Sequence, residues 1–93
     1  MNTVDLIRER LSGLAPETLE IYDDSHEHAG HAGSKDGGGH FQIVIVSQAF
    51  KGKSPVSRHR LIYHALSDLL PNRIHALAIR AYAPEEMEAS AKG

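Results

Sequence analysis

Val4, Ile7, Leu11 and Leu14 recur at the three-and-four spacing of a helix, which gives the first segment one apolar face. Asn2 or Thr3 can cap this helix, and Gly13, Ala15 and Pro16 mark its end. From Thr18 the period changes to two: Leu19 and Ile21 alternate with Thr18, Glu20 and Tyr22, the pattern of a half-buried strand. Phe41 to Ser47 is dominated by β-branched residues and predicts a second strand, antiparallel to the first because a hairpin-type connection joins them. Ser54-Pro55 is a strong helix start, and the helix is expected to run to about Leu70, before Pro71. At roughly 100° per residue, Val56, Leu61, Ile62, Tyr63, Ala65, Leu66, Leu69 and Leu70 cover an arc of about 220°. So wide an arc implies a largely buried helix, with His59 near its centre as a hydrogen-bonded core residue. Leu77, Ile79 and Ala81 alternate within Ile74 to Tyr82, a third strand. Pro84-Glu85-Glu86 opens a short, poorly anchored helix at the head of a weakly ordered tail, residues 84–93.

The order α, β, β, α, β predicts an α+β domain: a three-stranded mixed sheet with the helices packed on one face. The chain has 93 residues and 10.2 kDa, enough for a single core, so residues 1–93 form one domain. No apolar run approaches the roughly 20 residues needed to cross a bilayer. Asp5, Arg8, Glu9 and Arg10 interrupt what a secretory signal would keep apolar, so a cytoplasmic location is expected, with no membrane partner and a monomer or weak dimer alone. The net charge of −2 conceals segregation: residues 1–36 carry −5, residues 37–83 carry +5, and the tail returns to −2. Lys51, Lys53, Arg58 and Arg60 surround the start of the second helix, where an anion or nucleic acid could bind, against the plain alternative of a solvated basic rim.

Two counts then change the picture. There is no cysteine, so the chain has no disulfide and no thiolate of its own, and there are seven histidines. Four of these, His26, His28, His31 and His40, fall in or beside the loop 24–39, a flexible stretch rich in His, Gly, Ser and Ala. The second strand, the long helix and the third strand make a βαβ crossover, which sets the two strands parallel and their N-terminal ends side by side. His75, at the start of the third strand, is therefore expected on the sheet edge where His28, His31 and His40 enter. His40 is a secondary candidate, nearer to a structural role at the strand start. His26-Glu27 followed by His31 misses the zinc-protease HExxH spacing by one residue, and Ser25-His26 lacks the geometry of a nucleophile and base. No motif supports an enzyme. Leu70-Pro71-Asn72-Arg73 has no glycine where an RNA-binding KH module needs Gly-x-x-Gly.

Asp23-Asp24-Ser25 with His28, then His40-Phe41, Phe50-Lys51-Gly52, Arg58-His59-Arg60 and Ile74-His75-Ala76-Leu77 occur in the order of the BolA family, which the sequence resembles from about Val4 to Tyr82. The resemblance implies a BolA-like, class II KH-like fold. It also implies a non-enzymatic adaptor that partners a monothiol glutaredoxin and shares a bridging [2Fe-2S] cluster, in iron-sulfur trafficking or iron and redox regulation. By the same resemblance His75 is one cluster ligand and His28 the other, with His31 the alternative in the loop, while glutaredoxin's cysteine and glutathione supply the thiolates that this chain lacks. Mixed His and Cys ligation raises the reduction potential over an all-thiolate cluster. Some bacterial members of the family are described as DNA-binding regulators, so the alternative function is a transcriptional regulator that grips duplex DNA through the basic segment 51–60.

Overall fold

The computed structural model describes residues 2–24 and 39–87. Its elements follow the expected order: α1 (Thr3–Leu11), β1 (Thr18–Asp23), β2 (Gly39–Val46), α2 (Pro55–Ala65) and β3 (Ile74–Tyr82), with 3-10 turns at Ser12–Leu14 and Gln48–Phe50. The sheet runs β1-β2-β3, with β1 antiparallel and β3 parallel to the central β2. Asn2 caps α1 by accepting from the Asp5 amide at 2.8 Å, and Ser54 caps α2 by accepting from the Ser57 amide at 3.2 Å, with Pro55 opening the helix. Gly52, at φ +74°, supplies the left-handed turn that leads into that cap.

Strand alternation sorts the sheet into two faces. Phe41, Ile43 and Ile45 of β2 pair with Leu77, Ile79 and Ala81 of β3 and face the helices. Ile7 and Leu11 of α1, Ile62 of α2, and Phe50, Leu66, Leu69 and Ile74 complete the core, while Val4, Leu14, Leu19 and Ile21 pack against its margin. Thr18, Glu20 and Tyr22 lie outside on β1, and Gln42, Ala78 and Arg80 are exposed on the other strands of that open face.

The second helix departs from expectation in two ways. It ends at Ala65, and the chain tightens into three-residue turns, Ser67 N–H to His64 O and Leu69 N–H to Leu66 O. This brings Leu69 into the core, where its carbonyl accepts from both Arg73 and Ile74 as the chain enters β3. The expected wide apolar arc is also narrower: Val56 and Tyr63 are exposed, and so is His59. The buried stripe is Arg58, Ile62 and Leu66 at spacing four, so His59 is a surface residue and its neighbour Arg58 is the polar group in the interior.

The tail begins with a helical turn at 84–87 that is firmly tied to the body. Glu86 accepts from the two terminal guanidinium nitrogens of Arg58, Nη1 at 2.6 Å and Nη2 at 3.0 Å, and from the Ala83 amide at 2.8 Å. The expected weak order of 88–93 and the flexible loop of 25–38 lie outside the described residues.

Candidate functional site

The parallel pairing of β2 and β3 sets the geometry of the histidine end. Gly39 pairs with Ile74, yet the next residue of β2, His40, pairs with Ala76. One step on β2 therefore matches two on β3, and His75 is the extra residue, the bulge. A bulge re-aims a side chain, and here Ile74 is buried whereas both His75 and Ala76 are exposed before Leu77 resumes the inward face. The Gly39 amide donates to Arg73 O at 3.1 Å, and the Ile74 amide to Leu69 O at 3.0 Å, so the peptide just before the bulge is fixed at both its polar groups.

His40, half-buried, lies alongside. Its ring centroid is 5.6 Å from that of His75, with the planes tilted by 35°. The meeting of strand ends argued from topology is thus seen for His40 and His75, which stand 35 positions apart in sequence. His28 and His31 lie outside the described residues, but both flanks of their loop are at this end: the Asp24 amide donates to His40 O at 2.8 Å. Asp24 also accepts from Gln42 Nε2 at 2.6 Å, which holds the end of β1 against β2. Behind the edge, on the helix side of the sheet, a cleft of about 260 Å³ is bounded by Thr3, Asp23, Gly39, Phe41 and Arg73 among others. Among the described residues no group of three or more His, Cys, Asp or Glu side chains is placed to hold a metal ion. The arrangement presents the exposed imidazole of His75 to an electrophile or metal approaching the edge, with the ring of His40 beside it.

The basic segment occupies the opposite end. Arg58 is only 9% exposed and is committed inward: Nε donates to Lys53 O at 2.9 Å, Nη1 to Ala81 O at 3.0 Å, and the guanidinium clamps Glu86. It therefore does not join an anion-binding rim. The Arg58 guanidinium and the Ala83 amide hold the Glu86 carboxyl well below the usual carboxylate range, at about 2. Lys51 pairs with Glu85 at 3.4 Å on the surface, leaving Lys53 and Arg60 as exposed cations with no acidic side chain within bridging distance among the described residues. The sequence holds one clue to Arg58 that the apolar count overlooks, its spacing of four from Ile62 and eight from Leu66.

The fold and its histidine edge define a class: a small α+β domain whose three-stranded mixed sheet displays an imidazole from a strand bulge. Residues 11–86 match the family model described as BolA-like protein, and the chain belongs to that family. It is similar to SufE-like protein 1, chloroplastic/mitochondrial, of Arabidopsis thaliana, with 51% identity over 87 residues that cover 87% of this chain and 24% of that protein. BolA-like protein 1 of Mus musculus is 46% identical over 81 residues, covering 86% of this chain and 57% of that one. The chain thus spans between a quarter and three fifths of these two relatives. A protein of Vibrio cholerae named DNA-binding transcriptional regulator BolA is 41% identical over 85 residues, covering 90% and 77% of the two chains. Among solved structures, BolA1 from Arabidopsis thaliana superposes with a TM-score of 0.80 at 43% identity, over 92% of this chain and 96% of that one. No helix among the described residues is long and apolar enough to cross a membrane.

Proposed function

We propose that this protein is a non-enzymatic adaptor that binds a monothiol glutaredoxin and, with it, holds a bridging [2Fe-2S] cluster. The observation that carries this reading is the exposed imidazole of His75, pushed out by a bulge at the end of the sheet where the histidine-bearing loop leaves and returns. The donor set fits such a division of labour. Imidazoles are present and thiolates are wholly absent from the 93 residues, so the sulfur ligands must come from the partner's cysteine and from glutathione. His75 is the first ligand from this chain and His28 the second, with His31 the alternative. A cluster with mixed His and thiolate ligands takes up electrons at a higher potential than an all-thiolate one, which suits iron-sulfur transfer or redox signalling.

Mixing the protein with a cluster-loaded monothiol glutaredoxin tests the proposal. The visible absorption and circular dichroism bands of the cluster are expected to change on addition of the protein, and to stay as in glutaredoxin alone with His75→Ala. His75 is exposed, so the variant keeps its fold and the loss reports on ligation. A spectrum unaltered by the unsubstituted protein overturns the adaptor reading.

A second reading, a DNA-binding regulator, is supported by the name of the Vibrio cholerae relative and by the exposed Lys53 and Arg60 near the start of α2. It predicts duplex binding whose affinity falls steeply with salt and weakens when Lys53 and Arg60 are neutralised. Arg58 is unsuited to this test, because its removal unpairs Glu86.

A further inference from the structure

We propose that the open face of the sheet is a self-association surface, on which Arg80 of each copy enters an acidic cleft beside Glu20 of a second copy of this chain. Strand register places Glu20 of β1, Val44 of β2 and Arg80 of β3 in one row across that face. Glu20 and Arg80 are both exposed and stand two strand spacings, or roughly 9.6 Å, apart. They do not pair with each other, and Arg80 has no side-chain hydrogen bond or ion pair among the described residues. Glu20 Oε1 accepts from the Tyr22 hydroxyl at 2.9 Å, which steadies the carboxylate and leaves Oε2 to a further donor.

Beside Glu20 lies a cleft of about 320 Å³, bounded by Glu17, Glu20, Val44, Val46, Pro84 and Met87 among others. Two carboxylates at the rim of an apolar floor suit a side chain with a cationic head and an apolar stem, which is the chemistry of arginine. Two-fold symmetry supplies that arginine. An axis running along β2, midway between two stacked sheets, lays β3 of one copy over β1 of the other, so an Arg80 meets a Glu20 twice. The same operation sets Val44 on Val44, Ala78 over Tyr22 and Thr18 over Tyr82, a small side chain opposite each large one. An axis across the strands would stack Glu20 on Glu20 and Arg80 on Arg80, so charge selects the first arrangement. Three strands at about 4.8 Å and five residues at about 3.3 Å give a footprint of roughly 240 Å². That is well below the ~800 Å² per partner of stable complexes, so the dimer is weak, with a dissociation constant of roughly 0.1–1 mM.

Sedimentation velocity on the full chain, from roughly 0.02 to 2 mM, tests the proposal. The mass is expected to rise with concentration from 10.2 kDa toward twice that value, and to rise less at high salt. Glu20→Arg and Arg80→Glu should each weaken association roughly tenfold or more, because each sets like charges opposite one another. Combining the two substitutions reverses both members of the pair and should restore the affinity to within about threefold. Both residues are exposed, and circular dichroism confirms that the variants are folded. The proposal is overturned if the chain stays monomeric throughout, if either single substitution leaves association unchanged, or if the double variant does not recover it. No glutaredoxin, cluster or DNA is present in any arm, so this result stands apart from the fate of the adaptor reading.

Discussion

Arg58 shows how a cation in a basic stretch can belong to the interior of the fold. Its stem lies on the buried stripe of α2, and its guanidinium reaches Lys53 O, Ala81 O and Glu86, joining α2 to the end of β3 and the turn that follows. The pairing makes stability depend on acid. The Glu86 carboxyl titrates at about 2 in the folded protein against an ordinary value of 4.5, so its contribution is complete above 4.5 and is lost as the pH falls from there toward 2. Comparing thermal midpoints of the unsubstituted protein and Glu86→Gln should give a gap that is constant near neutrality, narrows below 4.5 and closes near 2. Asp68 adds to the same trend, its carboxyl lowered by hydrogen bonds from Arg10 at 2.8–3.2 Å that tie α1 to the turn after α2.

At the scale of elements, the helix and strand order is readable from periodicity because each segment keeps one period throughout. Val4, Ile7 and Leu11 mark α1, and Leu77, Ile79 and Ala81 mark β3, without interruption. The second helix is harder to read because Val56 and Tyr63 are apolar but exposed, and counting them turned the inferred face away from Arg58 and onto His59. The difference is measurable. Ile62→Ala should cost about 2–5 kcal/mol in denaturant unfolding, as a fully buried aliphatic on the core side does. Tyr63→Ala, one position along, should cost about 1 kcal/mol or less. The candidate site was legible in part. Topology alone brings His75 to the start of β2, but the bulge that sets its exposure arises from strand register, which periodicity does not record. The tie of Glu86 to Arg58 was hidden for a similar reason, since 28 residues separate the partners and only the fold brings them together.

At the scale of the molecule, the histidine edge and the basic end are held apart by the sheet. The nine residues of β3 span roughly 26 Å at about 3.3 Å each, with His75 near one end and the contacts of Arg58 with Ala81 at the other. A partner confined to the histidine edge would leave Lys53 and Arg60 open to solvent. Reversing both charges, Lys53→Glu with Arg60→Glu, should leave the spectral response to cluster-loaded glutaredoxin unchanged. His75→Ala should leave any salt-dependent DNA affinity unchanged. If one substitution moved both measurements, the two surfaces would have to be one.

The bulge makes residue 75 surplus to the sheet. With that position deleted, Ile74 still falls opposite Gly39, Ala76 opposite His40 and Leu77 opposite Phe41, so every inward residue of β3 keeps its place. A shortening of the gene by a single codon would then erase the chemistry of this edge while the scaffold stayed in frame, which makes the imidazole an ornament that the architecture tolerates rather than requires.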